Sequence, residues 1–172
     1  MEENIFYLTK ERVPVFIGKN GEMKQQFEEK FSSNIEVNSQ TGEVIAESED
    51  AVSLFVLGSA IEAINYGHNP ENTFELQDES TVIDIIDLKS KVRDQKRLNS
   101  VMGRIIGKDG STRKAVEEIT KCFISVTEEG VCVIGPFENV QLVHEAIDML
   151  IKGASHKSMY SYLERNKISP LA

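Results

Sequence analysis

The sequence predicts an α+β protein made of two tandem copies of one β-α-α-β-β-α unit, each a three-stranded sheet with helices packed on one face. Three observations carry that prediction. A glycine-bracketed string occurs twice, as Ile17-Gly18-Lys19-Asn20-Gly21 and Ile106-Gly107-Lys108-Asp109-Gly110, at an offset of 89 residues. Each copy is followed by a helical apolar period, then by two short alternating runs and a long amphipathic helix. The same order recurring along one chain marks a duplicated unit. With 172 residues, 40% of them hydrophobic, the chain can fill two small cores. We place the first unit at 1–78, with a connecting helix at its end, and the second at 79–172, with a C-terminal helical tail.

In the first unit, residues 4–8 read as a strand and 10–17 as a short helical segment, in which Pro14 suits a first-turn position better than an interior one. Residues 22–32 predict a helix with Met23, Phe27 and Phe31 on one stripe. Ile35 and Val37 alternate as a strand, and Ser39-Gln40-Thr41-Gly42 turns the chain into a second one at 43–46. The helix at 51–66 is apolar on more than one side: Val52, Phe55, Val56 and Ala63 make one stripe, and Leu54, Leu57, Ile61 and Ile64 lie largely off it.

The second unit opens with a strand at 81–88 and a basic helix at 89–98. After the glycine string come a helix at 112–121, a hairpin of 123–127 with 131–134 across Glu128-Glu129-Gly130, and a helix at 137–152 with Val140, Val143, Ala146, Ile147, Leu150 and Ile151 inward. The tail at 155–165, carrying Met159, Tyr160, Tyr162 and Leu163, reads as a cap over this unit, with a partner-binding helix as its rival.

The net charge of −9 argues against a nucleic-acid partner only until it is divided. Residues 1–87 hold 5 Lys or Arg against 18 Asp or Glu, whereas 88–172 hold 14 against 10. Between 89 and 114, nine cations (Lys89, Lys91, Arg93, Lys96, Arg97, Arg104, Lys108, Arg113 and Lys114) face only Asp94 and Asp109. That patch contains the second glycine string. Gly107 and Gly110 let the backbone turn tightly against a ligand, and the helix that follows presents free N–H groups and a positive dipole end. Arg104, Lys108, Arg113 and Lys114 ring the turn with donors for phosphodiester oxygens, and Lys91, Arg93, Lys96 and Arg97 extend the field. The first string, Gly18, Lys19, Asn20 and Gly21, predicts a weaker clamp, because Val15 and Gln25 stand where the second has Arg104 and Lys114.

Other chemistries find less support. A nucleotide-binding P-loop needs four residues between its glycines and a hydroxyl residue after the Lys; here three separate Gly103 from Gly107, and Asp109 follows Lys108. Asp84 and Asp87 alternate on one strand without a converging base and nucleophile, so no enzyme is expected. Cys122 and Cys132 lack metal-ligand spacing and read as small buried hydrophobes; His68, His144 and His156 are scattered. Neither metal nor cofactor is implied. No apolar run approaches transmembrane length and the start of the chain is acidic, so we expect a cytoplasmic protein.

The glycine loop set between helices, followed by two strands and a helix, resembles the KH domain in its eukaryotic, type I order. That resemblance implies a clamp on about four nucleotides of single-stranded RNA, with Ile105 and Ile106 beneath the bases. The two tandem units, the string Gly-Arg-Ile-Ile-Gly-Lys-Asp-Gly-Ser-Thr-Arg at 103–113 and the tail are similar to the archaeal partner-of-Nob-one family. Resemblance to that family implies binding to the 3′ end region of small-subunit ribosomal RNA during its maturation. As partners it implies the Nob-one endonuclease and the alpha subunit of translation initiation factor two. The rival reading is a protein-interaction scaffold with little direct RNA binding.

Overall fold

A computed structural model describes residues 1–168. The chain divides into a unit of Met1–Asp78 and a second beginning at Glu79. In the first, β1 (Glu2–Tyr7) leads through a 3-10 turn at Lys10–Arg12 into α1 (Val13–Ile17). The loop gives way to α2 (Glu22–Lys30), β2 (Asn34–Val37), β3 (Glu43–Ser48) and α3 (Ala51–Asn65), and α4 (Pro70–Thr73) closes the unit. In the second, β4 (Thr81–Ile86), α5 (Leu88–Lys91) and α6 (Gln95–Ile106) precede the loop; α7 (Ser111–Thr120), β5 (Phe123–Val126), β6 (Val131–Pro136), α8 (Phe137–Ile151) and α9 (His156–Asn166) follow it.

Both sheets are antiparallel and share one topology, β1-β3-β2 and β4-β6-β5, with the last strand of each unit in the middle. The registers correspond: Ile35 lies opposite Ala46 and Ile124 opposite Val133. One face of each sheet is covered by helices. Phe16, Phe27, Phe31, Ile35, Val44 and Ala46 are buried in the first unit, where the Phe16 and Phe27 rings stack at 4.6 Å. In the second, Ile86, Val101, Ile105, Val116, Ile124, Val131, Val133, Val143 and Ile147 share one core.

One element differs from the sequence expectation. The basic segment is two helices rather than one: the backbone extends at Val92, and the Asp94 carboxylate caps α6 by accepting the Arg97 N–H at 3.0 Å. On α3, burial falls on Leu54, Leu57, Ala60, Ile61, Ala63 and Ile64, while Val52 and Phe55 stay exposed. The tail is a cap. Met159 and Leu163 of α9 are fully buried in the second core. No helix among the described residues is long and apolar enough to cross a membrane.

Candidate nucleic-acid interface

The two glycine loops have nearly the same backbone. Gly18 and Gly107 sit at φ 74° and 75°, Asn20 and Asp109 both at φ 55°, Gly21 and Gly110 at 75° and 77°. The first glycine is demanded twice over: its φ is left-handed, and the next helix passes so close that a Cβ at Gly107 would lie 2.3 Å from Thr112 Oγ1, and one at Gly18 2.6 Å from Met23 Cβ. Asn and Asp tolerate the left-handed region better than other side chains, so an acid in a phosphate loop has a conformational cause. No side chain caps α2 or α7, whose N-cap residues are Gly21 and Gly110, and their first N–H groups face outward with the positive dipole end.

A second shared device sits behind the loops. Glu28 pairs with Lys24 at 3.2 Å and accepts the Ile35 N–H at 2.9 Å. Glu117 pairs with Arg113 at 2.6 Å and accepts the Ile124 N–H at 2.9 Å. Each carboxylate ties the loop's helix to the neighbouring edge strand and holds one cation of that helix.

The nine cations of 89–114 divide into two groups. Lys108 and Lys114 at the loop, and Arg93 and Lys96 on its approach, are exposed with no partner among the described residues. Five others are engaged: Lys89 with Glu129 at 2.9 Å, Lys91 with Asp148 at 3.3 Å, Arg113 as above, Arg97 donating to Ile151 O at 3.1 Å, and Arg104. The pairs of Lys89 and Lys91 are surface contacts, screened by solvent, which a phosphate can displace.

Arg104 is engaged at the end of α8: its guanidinium donates to Leu150 O at 2.9 Å, which also accepts the Gly153 N–H, and to Ala154 O. His156 Nε2 meets the Arg104 carbonyl oxygen at 2.8 Å, which ties α9 to the same turn. Ile105, expected beneath the bases, is 4% exposed and belongs to the core, whereas Ile106 is half-buried. Gly103, which the charge pattern did not single out, lies exposed on α6 one turn before Gly107, with open space over its Cα.

Outside the loops, Asp84 reaches His144 Nδ1 at 2.7 Å, and Asp87 caps α5 by accepting the Ser90 N–H. The two carboxylates therefore serve separate structural contacts. Burial pushes the Cys122 thiol up to about 11, so it is a poor nucleophile at neutral pH. Among the described residues no group of His, Cys, Asp and Glu could hold a metal ion.

Two units of β-α-α-β-β-α order, each with its glycine loop at the N-terminus of an uncapped helix, define a tandem type I KH protein. The comparisons with known proteins agree. Residues 82–168 match the family model described as "Eukaryotic type KH-domain (KH-domain type I)", the second KH domain of the Pno1 type. A KH domain-containing protein of Methanocaldococcus jannaschii is 31% identical over 166 residues, 95% of this chain and 73% of that protein. The RNA-binding protein pno-1 of Caenorhabditis briggsae is 31% identical over 129 residues, and the chain spans less than half of that relative's length, 43%. Among solved structures, Dim2p of Pyrococcus horikoshii matches with a TM-score of 0.87 at 34% identity, covering 96% of this chain and 99% of that one. A second structure, a complex of a/eIF2alpha, aDim2p and rRNA from the same organism, matches with 0.86 at 34% identity over 95% and 93%. The chain belongs to the Pno1/Dim2 family of KH-domain proteins.

Proposed function

We propose that this chain is a non-catalytic RNA-binding factor that holds a single strand of small-subunit ribosomal RNA, in its 3′ end region, during ribosome maturation. The observation that carries this reading is the second loop, where a turn with Asp109 in the left-handed region opens onto an uncapped helix N-terminus with Lys108 and Lys114 free beside it. The names of relatives support the substrate: one is a pre-rRNA-processing protein of Emericella nidulans, another an RNA-binding protein, and a structural neighbour was solved with rRNA and a/eIF2alpha. We take the same initiation-factor subunit and the Nob-one endonuclease as protein partners.

Lys108, Lys114, Arg93 and Lys96 are the cations proposed on phosphate, with Lys91, Arg97 and Arg113 adding field from their paired positions. Ile106 lines the groove, and Gly107, Asp109 and Gly110 shape the loop. The first loop, Gly18 to Gly21, contributes weakly. A single strand from the 3′ end of small-subunit rRNA should bind with an affinity that falls by roughly 0.7 log unit per log unit of salt for each phosphate engaged, while its perfect duplex is neglected. Fluorescence anisotropy with the two RNAs tests this; equal affinity for strand and duplex, or a flat salt response, refutes it.

A further inference from the structure

We propose that the outward face of the β1-β3-β2 sheet is a docking surface for a basic protein segment that carries an apolar side chain between its cations. The sheet's two faces are set by its pleat. Phe6 points toward α3, where a Cβ on Gly58 would lie 2.7 Å from the Phe6 ring, and Val44, Ala46 and Ile35 are buried on that same side. Glu3, Ile5 and Tyr7 of β1, Glu43, Ile45 and Glu47 of β3, and Glu36 of β2 therefore face outward. Ile5 and Tyr7 are 50% and 62% exposed, and together they put two large side chains on the open face of β1. Ile5 lies directly opposite Ile45, which makes an apolar centre.

The charged side chains around this centre are all carboxylates, with Asn34 as the neutral polar neighbour opposite Glu47. Glu3 stands directly opposite Glu47, Glu43 opposite Tyr7, and Glu36 opposite Ile45. No strand of this sheet contains a Lys or Arg. None of the four carboxylates has an ion pair among the described residues. Like charges placed directly across a strand pair destabilise it, so the Glu3 and Glu47 pair is a folding cost that a cationic partner relieves. Four carboxylates repel a phosphate backbone, so RNA does not suit this face, and the absence of a metal-holding group among the described residues points away from a bound divalent ion. A shallow hollow bounded by Glu36, Glu43, Ile45 and the 37–39 turn gives the apolar side chain a seat.

The probe is a fluorescein-labelled peptide alternating Lys and Leu over about eight residues, with a Lys-Ser peptide of equal charge as control, titrated with the full chain. We expect the Lys-Leu peptide to bind about tenfold tighter than the Lys-Ser peptide. The paired change Glu3→Gln and Glu47→Gln should weaken it by a further factor of about ten while raising Tm. Ile5→Thr with Tyr7→Thr should reduce the difference between the peptides to near nothing. Lys108→Asp should leave peptide binding unchanged, so the result stands apart from the RNA reading. Peptide binding insensitive to the Glu and Ile5/Tyr7 changes overturns the proposal, as does displacement of the peptide by single-stranded RNA. So does self-association of the chain that is lost with the Glu changes, since the occupant would then be a second copy.

Discussion

In each unit an arginine donates to two carbonyls at the end of the last core helix, and these two arginines are not at equivalent positions in the repeat. In the first unit, Arg12 donates to Ile64 O and His68 O, both at 2.7 Å; in the second, Arg104 donates to Leu150 O and Ala154 O. The acceptors correspond, since Ile64 and Leu150 are each the next-to-last residue of α3 and α8, and His68 and Ala154 each lie four further on. The donors do not: Arg12 precedes its glycine by six residues and Arg104 by three. The same pair of acceptors is reached from a different place in the chain. Arg104 has structural acceptors of its own, so its contrast with Val15 does not by itself mark a phosphate ligand missing from the first unit. The electrostatic contrast survives on other grounds: between the structural boundaries, Met1–Asp78 has 5 cations and 15 acids, and the rest of the chain 14 and 13.

The strongest test of that contrast is Lys108→Asp against the paired change Lys19→Asp and Asn20→Asp. Both put two acids between loop glycines of matching geometry, so conformation is held constant and only the surrounding charge differs. Lys108→Asp should weaken single-stranded RNA binding on the order of a hundredfold, because an acid then stands where a phosphate sits. The first-loop pair should cost less than about threefold. Equal losses in anisotropy titrations, with both variants folded by circular dichroism, would erase the distinction between the loops.

The helix-closing arginines come next. Arg12→Met and Arg104→Met each remove a charged donor from two partly buried carbonyls, which costs about 2 kcal/mol of folding stability. Arg→Lys should recover little, because an ammonium lacks the fork that reaches both oxygens. Urea unfolding monitored by circular dichroism checks this. If Arg104→Met left stability unchanged and lowered RNA affinity alone, Arg104 would be a phosphate ligand after all.

The repeat, the order of elements along the chain and both loops were legible in the sequence because they rest on local signals: glycines at a fixed spacing, period-two runs, and a helical stripe such as Met23, Phe27 and Phe31. What was hidden depends on partners distant in the chain. Arg104 meets acceptors 46 and 50 residues away, and Asp84 meets a histidine 60 away. Charge counting sees nine cations and cannot see which of them turn inward to a helix end. The clue was available in the helices: α3 and α8 match at an offset of 86 rather than 89, so the two ends of the repeat are not in one register.

A smaller effect separates the loop's shape from its charge. Asn20→Ala and Asp109→Ala force a β-carbon without a polar handle into the left-handed region and should each destabilise their unit by about 1 kcal/mol. Their effects on RNA should diverge. Asp109→Ala also removes an acid beside the phosphate and should leave affinity level or slightly raised, whereas Asn20→Ala should change it little. A large loss of RNA binding for Asp109→Ala would mean that its carboxylate contacts a base.

The smallest expected effect concerns Gly103, and its sign is what matters. Gly103 lies inside α6, and Pro14 holds the matching place in the first unit; each carbonyl accepts the N–H of the first loop glycine, Gly107 at 2.8 Å and Gly18 at 2.9 Å. A glycine in a helix interior is less stable than alanine by roughly 0.5–1 kcal/mol, and here neither a left-handed φ nor a neighbouring atom requires it, because nothing lies within 4 Å of a Cβ built there. The bare Cα leaves a flat approach beside Ile106 and Lys108 on the second unit, where the first presents a proline ring. Gly103→Ala should therefore raise Tm and weaken RNA binding severalfold, because a methyl group on that face holds the RNA backbone away. A variant that gained stability and kept its affinity would show that the strand does not pass over Gly103, and the path of the RNA would have to be redrawn toward the β5 side of the groove.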